Sequence, residues 1–131
     1  MTETPADVLV VDDDPDLMEI MQVMLHSSGY EVRCACNGRE AIEAIAQKMP
    51  AVVLLDMLMP VMDGSQCAKE LRARYGRNLP IVVVTAAEHA QARAAQAGVV
   101  IDAVLAKPFE MEHLLRVVAR YVPKVRLDIP S

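Results

Sequence analysis

The chain has 131 residues, 53% of them apolar, and a formal charge of −5. That length suits one compact domain and is too short for two of ordinary size, and an acidic balance without a basic stripe argues against nucleic-acid binding, which needs cations to neutralise phosphate. No stretch of about 18 residues is free of charged and polar breaks, so no membrane span is expected; the first residues lack the basic region and apolar run of a signal peptide, which leaves the cytoplasm as the expected location.

Short β-rich runs alternate with helical stretches along the chain. Val8-Leu9-Val10-Val11 is a continuous apolar run that stops at three aspartates, the pattern of a strand buried on both faces. Asp14-Pro15 follows as a helix start, with Asp as N-cap and Pro in the first turn. Leu17, Ile20, Met21, Met24 and Leu25 then recur at helical spacing, and Gly29 is the candidate C-cap. Glu31 to Ala35 reads as a second strand, Asn37-Gly38 as a turn, and Ala41, Ile42, Ile45 and Ala46 as the apolar stripe of a second helix that ends by Pro50.

The third strand, Ala51 to Leu55, again stops at an aspartate, Asp56. A loop with Pro60 and Asp63-Gly64 leads to a helix carrying Cys67, Ala68, Leu71 and Tyr75. Pro80 to Val84 is the fourth strand and ends at Thr85. An alanine-rich helix is expected over about 88–97 and a fifth strand near Ala103-Val104-Leu105, just before Lys107-Pro108. The last helix is expected from about Glu110 to Tyr121. Five β–α pairs with short connections predict an α/β fold, a parallel sheet covered by helices on both sides.

Two smaller features belong to this reading. Arg116, Arg120, Lys124 and Arg126 fit a solvated last turn and tail, since cations favour helix C-termini. Of the three cysteines, Cys34 and Cys36 alternate along the second strand and so share a face; the odd count without a secretion signal predicts reduced thiols, packed in buried or half-buried positions.

The chemistry-bearing residues stand where apolar strands stop. Asp12 and Asp13 follow strand one, Asp56 strand three, Thr85 strand four and Lys107 strand five. In open α/β sheets, ligands bind beyond the carboxyl ends of the strands, so these side chains are expected at one edge. Gathered carboxylates repel one another, and a hard divalent cation with oxygen ligands, such as Mg²⁺, resolves that repulsion. A carboxylate can also attack phosphorus to give an aspartyl-phosphate. Such transfer needs alignment and charge neutralisation, for which an ammonium and a hydroxyl are suited.

Val8 to Pro15, Leu54 to Pro60 with Asp63-Gly64, Pro80 to Ala86 and Lys107-Pro108-Phe109 together closely resemble the receiver domain of bacterial two-component response regulators, over about residues 7–121 with a short tail, 122–131. The resemblance implies a flavodoxin-like doubly wound sheet of order 2-1-3-4-5 with five helices. It implies that Asp56 is the phosphoacceptor, that Asp13 binds Mg²⁺ directly and Asp12 mainly through water, and that Leu58 offers a backbone carbonyl to the metal. Thr85 and Lys107 would contact the phosphoryl group, and the Lys107-Pro108 bond would be cis. The implied donor is a phosphohistidine on a sensor histidine kinase or phosphotransfer protein. The implied recipient of the signal is a downstream effector, an attached output domain or a homodimer partner, reached through helix 88–97, strand 103–105 and helix 110–121. The domain would be regulatory rather than an enzyme, assisting only its own phosphorylation and dephosphorylation.

Two departures from the family pattern stand out. Val104 occupies the usual position of a switching aromatic residue, and the segment Gly98 to Asp102 is about two residues longer than usual. Three competing readings are weaker. A haloacid-dehalogenase-type phosphatase would need an Asp where Leu58 stands, a phosphate-independent scaffold would have no use for the acidic set, and flavin binding would need a phosphate loop after strand one.

Overall fold

Five apolar runs form the strands β1 (Asp7–Val11), β2 (Glu31–Ala35), β3 (Val52–Asp56), β4 (Ile81–Ala86) and β5 (Ala103–Lys107). The described helices are α1 (Pro15–Ser27), α2 (Gly38–Gln47), α3 (Gly64–Tyr75) and α4 (Met111–Ala119), with a 3₁₀ turn at Gly76–Asn78. The computed structural model describes residues 7–56, 64–86 and 101–122; the expected helix at 88–97, Leu58 and the tail beyond 122 lie outside them.

The sheet order is β2-β1-β3-β4-β5, as expected, and every pairing is parallel. All residues of β1 and β3 are buried, which explains why both read as unbroken apolar runs rather than as alternating ones. The two-residue strand period then sorts the core onto two faces. Leu9, Val53, Leu55 and Ile81 pack with Ala41, Ile45, Cys67 and Leu71 of α2 and α3. Val8, Val10, Leu54 and Leu105 pack on the other side with Met21 and Leu25 of α1 and Leu114 and Val118 of α4. Each of the Val, Leu, Ile and Met side chains among them contributes roughly 1.5–3 kcal/mol by leaving water.

Local chemistry ends the helices as well. Asp14 Oδ1 accepts from the N–H groups of Asp16 (3.0 Å) and Leu17 (3.3 Å), the N-cap that the sequence predicts. Gly29 has φ 95°, and its N–H reaches His26 O while that of Tyr30 reaches Leu25 O. This paired closure needs a left-handed residue, for which glycine alone carries no Cβ penalty. Asn37-Gly38 is a helix start rather than a free turn: Asn37 Oδ1 accepts from Glu40 N at 2.9 Å, so the asparagine caps α2.

The cysteine expectation holds in part. Cys67 is buried, but Cys34 and Cys36 are exposed. They lie at the end of the sheet's edge strand, past Val32, which packs against the core. Among the described residues, no helix is long and apolar enough to cross a membrane.

Two arginine networks tie down the end of the sheet where the strands begin. Arg33 donates from Nε to Asp7 Oδ2 (2.8 Å), from Nη1 to Ala44 O (2.8 Å) and from Nη2 to Lys48 O (2.6 Å), joining β2, β1 and the end of α2. Arg72 donates to the carbonyls of Gly76 and Leu79 and to Asp102 Oδ2 (2.7 Å), which also accepts from Ile81 N at 2.7 Å. Tyr121 Oη donates to Asp102 O. Charge-assisted bonds of this kind are worth more than neutral ones and fix the strand starts.

Candidate active site

Because all five strands run the same way, their last residues arrive at one edge. The register sets the details. Val11 pairs with Leu55, so the next residues, Asp12 and Asp56, stand at the same level. Asp56 pairs with Val84, Thr85 with Ala106, and Ala86 with Lys107, which brings Thr85 and Lys107 to the same rim. Thr85 and Lys107 lie within the strands rather than just after them, since β4 and β5 each continue two residues further than the expected runs to Val84 and Leu105.

The acidic residues differ in surroundings. Asp12 is 2% exposed and Asp56 5%, while Asp13 is open to solvent. Asp12 is held on two sides: its N–H donates to Ala35 O of β2 at 3.1 Å, and its Oδ1 accepts from Asp14 N at 2.9 Å. Asp14 therefore both caps α1 and orients the neighbouring carboxylate through its backbone. Of these two roles of Asp14, the sequence shows only the cap.

Asp12, Asp13 and Asp56 each offer an oxygen, and these oxygens lie within 4.8 Å of one another. Lys107 Nζ lies 3.4 Å from Asp12 Oδ2 and 3.7 Å from Asp56 Oδ2. Among the described residues, one ammonium faces three carboxylates. Thr85 Oγ1 is buried with no hydrogen-bond partner among the described residues, an arrangement that costs roughly 1–3 kcal/mol unless a ligand supplies the bond. The Lys107-Pro108 peptide is cis, as the resemblance implies. Val104 is half-buried on β5 opposite Val83, so an aliphatic side chain stands at the usual aromatic position. Leu58 lies outside the described residues.

Chemically, three oxygen ligands at this spacing suit a hard cation. A buried carboxylate flanked by an ammonium and an unused hydroxyl suits the binding of a tetrahedral oxyanion.

Residues 8–119 match the family model of the response regulator receiver domain. The chain belongs to that family. This receiver domain is 41% identical over 111 residues to the response regulator MprA of Mycolicibacterium vanbaalenii, an alignment that covers 85% of this chain and 48% of MprA. It thus spans about half the length of the curated relatives it matches. Among solved structures it superposes on the chemotaxis protein CheY4 of Vibrio cholerae with a TM-score of 0.79 at 31% identity, covering 91% of this chain and all of CheY4 (100%). It also superposes on the receiver domain of the sensor histidine kinase PA1611 of Pseudomonas aeruginosa, with a TM-score of 0.81 at 30% identity, covering 90% of this chain and 98% of the other. That structure has a magnesium ion coordinated in its active-site cleft. Like its relatives, the present receiver domain is a regulatory signalling module with a phosphoacceptor role.

Proposed function

We propose that Asp56 accepts a phosphoryl group from a phosphohistidine on a sensor histidine kinase or phosphotransfer protein, with Mg²⁺ held by Asp12, Asp13, Asp56 and the backbone carbonyl of Leu58. The observation that carries this reading is the cluster itself: three carboxylates within 4.8 Å, one ammonium 3.4 and 3.7 Å from two of them, and a buried hydroxyl without a partner among the described residues. An all-oxygen donor set fits Mg²⁺, which keeps several waters and uses few protein ligands. When bound, the ion supplies the positive charge that lets an anionic phosphoryl group approach an anionic nucleophile.

The chain's own residues do the rest. An oxygen of Asp56 forms the new bond to phosphorus as the bond from phosphorus to the donor imidazole breaks. Lys107 pairs with one phosphoryl oxygen, and Thr85 donates its hydroxyl hydrogen to another. Asp14 and Ala35 keep Asp12 in place through the backbone bonds described above. The strand ends thus supply alignment, which for phosphoryl transfer matters more than acid–base chemistry. In this reading the domain, with a core of about 7–121, is a cytoplasmic switch rather than an enzyme with an external substrate. Phosphorylation shifts the face made by segment 88–97, β5 and α4 toward an effector, an output domain or a second copy. With Val104 in place of an aromatic residue, that shift passes through the backbone around Thr85 rather than through a ring.

Incubation with Mg²⁺ and acetyl phosphate, followed by intact-mass measurement, tests the chemistry. Wild-type protein gains one phosphoryl group, and neither Asp56→Asn nor chelator-treated protein does. Equal labelling of Asp56→Asn, or none of the wild type, rejects the assignment.

A further inference from the structure

Cys34 and Cys36 take no part in the site above, yet they stand beside it. Both are exposed, whereas Cys67 is buried among α2 and α3 on the far face of the sheet. They are two residues apart at the end of an edge strand, a spacing that in extended chain puts side chains on one side. The residue between them is Ala35. It is buried, and its carbonyl accepts the Asp12 N–H at 3.1 Å. On its other side the Cys36 N–H donates to Glu40 Oε1 at 2.9 Å.

We propose that Cys34 and Cys36 form a thiol–disulfide site, in which oxidation by a low-molecular-weight disulfide links the two sulfurs and loosens the anchoring of Asp12. Two residues of extended strand span about 6.6 Å between Cα atoms, inside the range of about 4.4–6.8 Å that a disulfide tolerates. In extended chain the Cβ atoms of such a pair stand parallel, however, and must close to about 3.5–4.5 Å. The end of β2 must bend to allow this. Cys36 lies beyond the last strand residue, so the bend falls on the Ala35–Cys36 peptide. That peptide supplies the carbonyl bonded to Asp12 and the N–H bonded to Glu40.

The electron count is closed by the oxidant. One cysteine thiolate attacks a sulfur of oxidised glutathione and expels one glutathione thiolate. The second cysteine then attacks the mixed disulfide and expels the other. Two electrons leave the protein sulfurs, and the two thiol protons end on the two glutathione molecules. Burial raises both thiols above their ordinary value of 9.0, with added contributions from the Cys36 charge on Cys34 and from Glu40 on Cys36. Such thiols attack slowly at neutral pH, and a link that bends the strand end is readily reduced again, as a reversible site requires.

The test treats the full chain with oxidised glutathione, quenches with iodoacetamide in denaturant and maps the peptides. The expected product is a Cys34–Cys36 link lacking two hydrogen atoms, with Cys67 alkylated. Stable glutathione adducts, a link between two chains, or three alkylated cysteines overturns the site. A second arm, which rests on the Asp56 reading, compares acetyl phosphate labelling before oxidation, after it, and after dithiothreitol. The oxidised protein should label about tenfold more slowly, given how steeply such chemistry falls with misplacement. Dithiothreitol should restore the rate, and Cys34→Ser and Cys36→Ser should be indifferent to the oxidant. Equal rates in oxidised and reduced protein overturn the link to Asp12. Failure of the reduced control to label strikes the Asp56 reading alone, because the peptide map does not depend on it.

Discussion

Replacing Asp13 by Asn should stabilise the metal-free protein and weaken its response to Mg²⁺, so that the ranking of the two proteins reverses with the ion. Asp12 and Asp13 are sequence neighbours and repel each other in the unfolded chain too, so most of the fold-specific repulsion is between Asp13 and Asp56. At the 4.8 Å limit for their oxygens, two unit charges interact by ~0.9 kcal/mol in a medium of bulk-water dielectric. Asp13 is exposed, so that dielectric is the appropriate one. No ion pair joins Asp13 to Lys107, which contacts Asp12 and Asp56 instead, so the attraction lost with the charge is the longer-range and smaller contribution. A gain of about 1 kcal/mol raises Tm by roughly 4 °C for a domain of this size. With the ion at a hundred times its Kd, wild-type protein gains about 2.7 kcal/mol. A tenfold weaker site gives the variant about 1.4 kcal/mol less. Thermal unfolding by circular dichroism at low ionic strength, in chelator and in Mg²⁺, measures all four states. Identical Tm values in chelator, or an undiminished Mg²⁺ response in the variant, would refute the charge cluster as the binding site.

Three further outcomes follow from particular contacts. Lys107→Met removes the only described cation within reach of Asp12 and Asp56 and should lower the chelator-state stability by about 1–2 kcal/mol, with Mg²⁺ recovering more than it adds to wild type; urea titrations in both conditions read this. Asp102→Ala removes the acceptor of the Ile81 N–H and one of the acceptors of Arg72 at the base of β4 and should cost about 2 kcal/mol in urea unfolding without changing Asp56 labelling. Since the thiolates of Cys34 and Cys36 are disfavoured, a raised pKa means the reactive form gains with pH: iodoacetamide labelling in the folded state should be slow at pH 7 and still rising at pH 9, and a plateau below pH 8 would contradict the stated burial and Glu40 effects.

Much of the fold was legible because its signals are local. Apolar runs closed by aspartates mark β1 and β3, and Asp14-Pro15 and Gly29 mark the two ends of α1 by chemistry that acts within a few residues. The meeting of Asp12, Asp13, Asp56, Thr85 and Lys107 was also legible, since parallel strands deliver their ends to one edge whatever the loops between them do. The contacts that escaped are those set by tertiary direction. Arg33 inside a short strand gives no sign that it reaches Asp7 and the end of α2, and nothing near Asp102 announces Arg72. The exposure of Cys34 and Cys36 was missed because periodicity assigns a face and cannot say how far a helix covers it. Asn37-Gly38 was read as a turn because the same dipeptide chemistry serves a helix cap.

The placement of the two arginine networks has a consequence for how such a module can diversify. Arg33 and Arg72 clamp the strand beginnings, while every group with chemical potential stands at the strand endings, a full sheet height away. The described clamp residues and the acidic rim are therefore separate sets, so substitutions at one need not disturb the other. The converse also holds: damage to the clamps should lower the yield of folded protein and leave the selectivity of the survivors untouched.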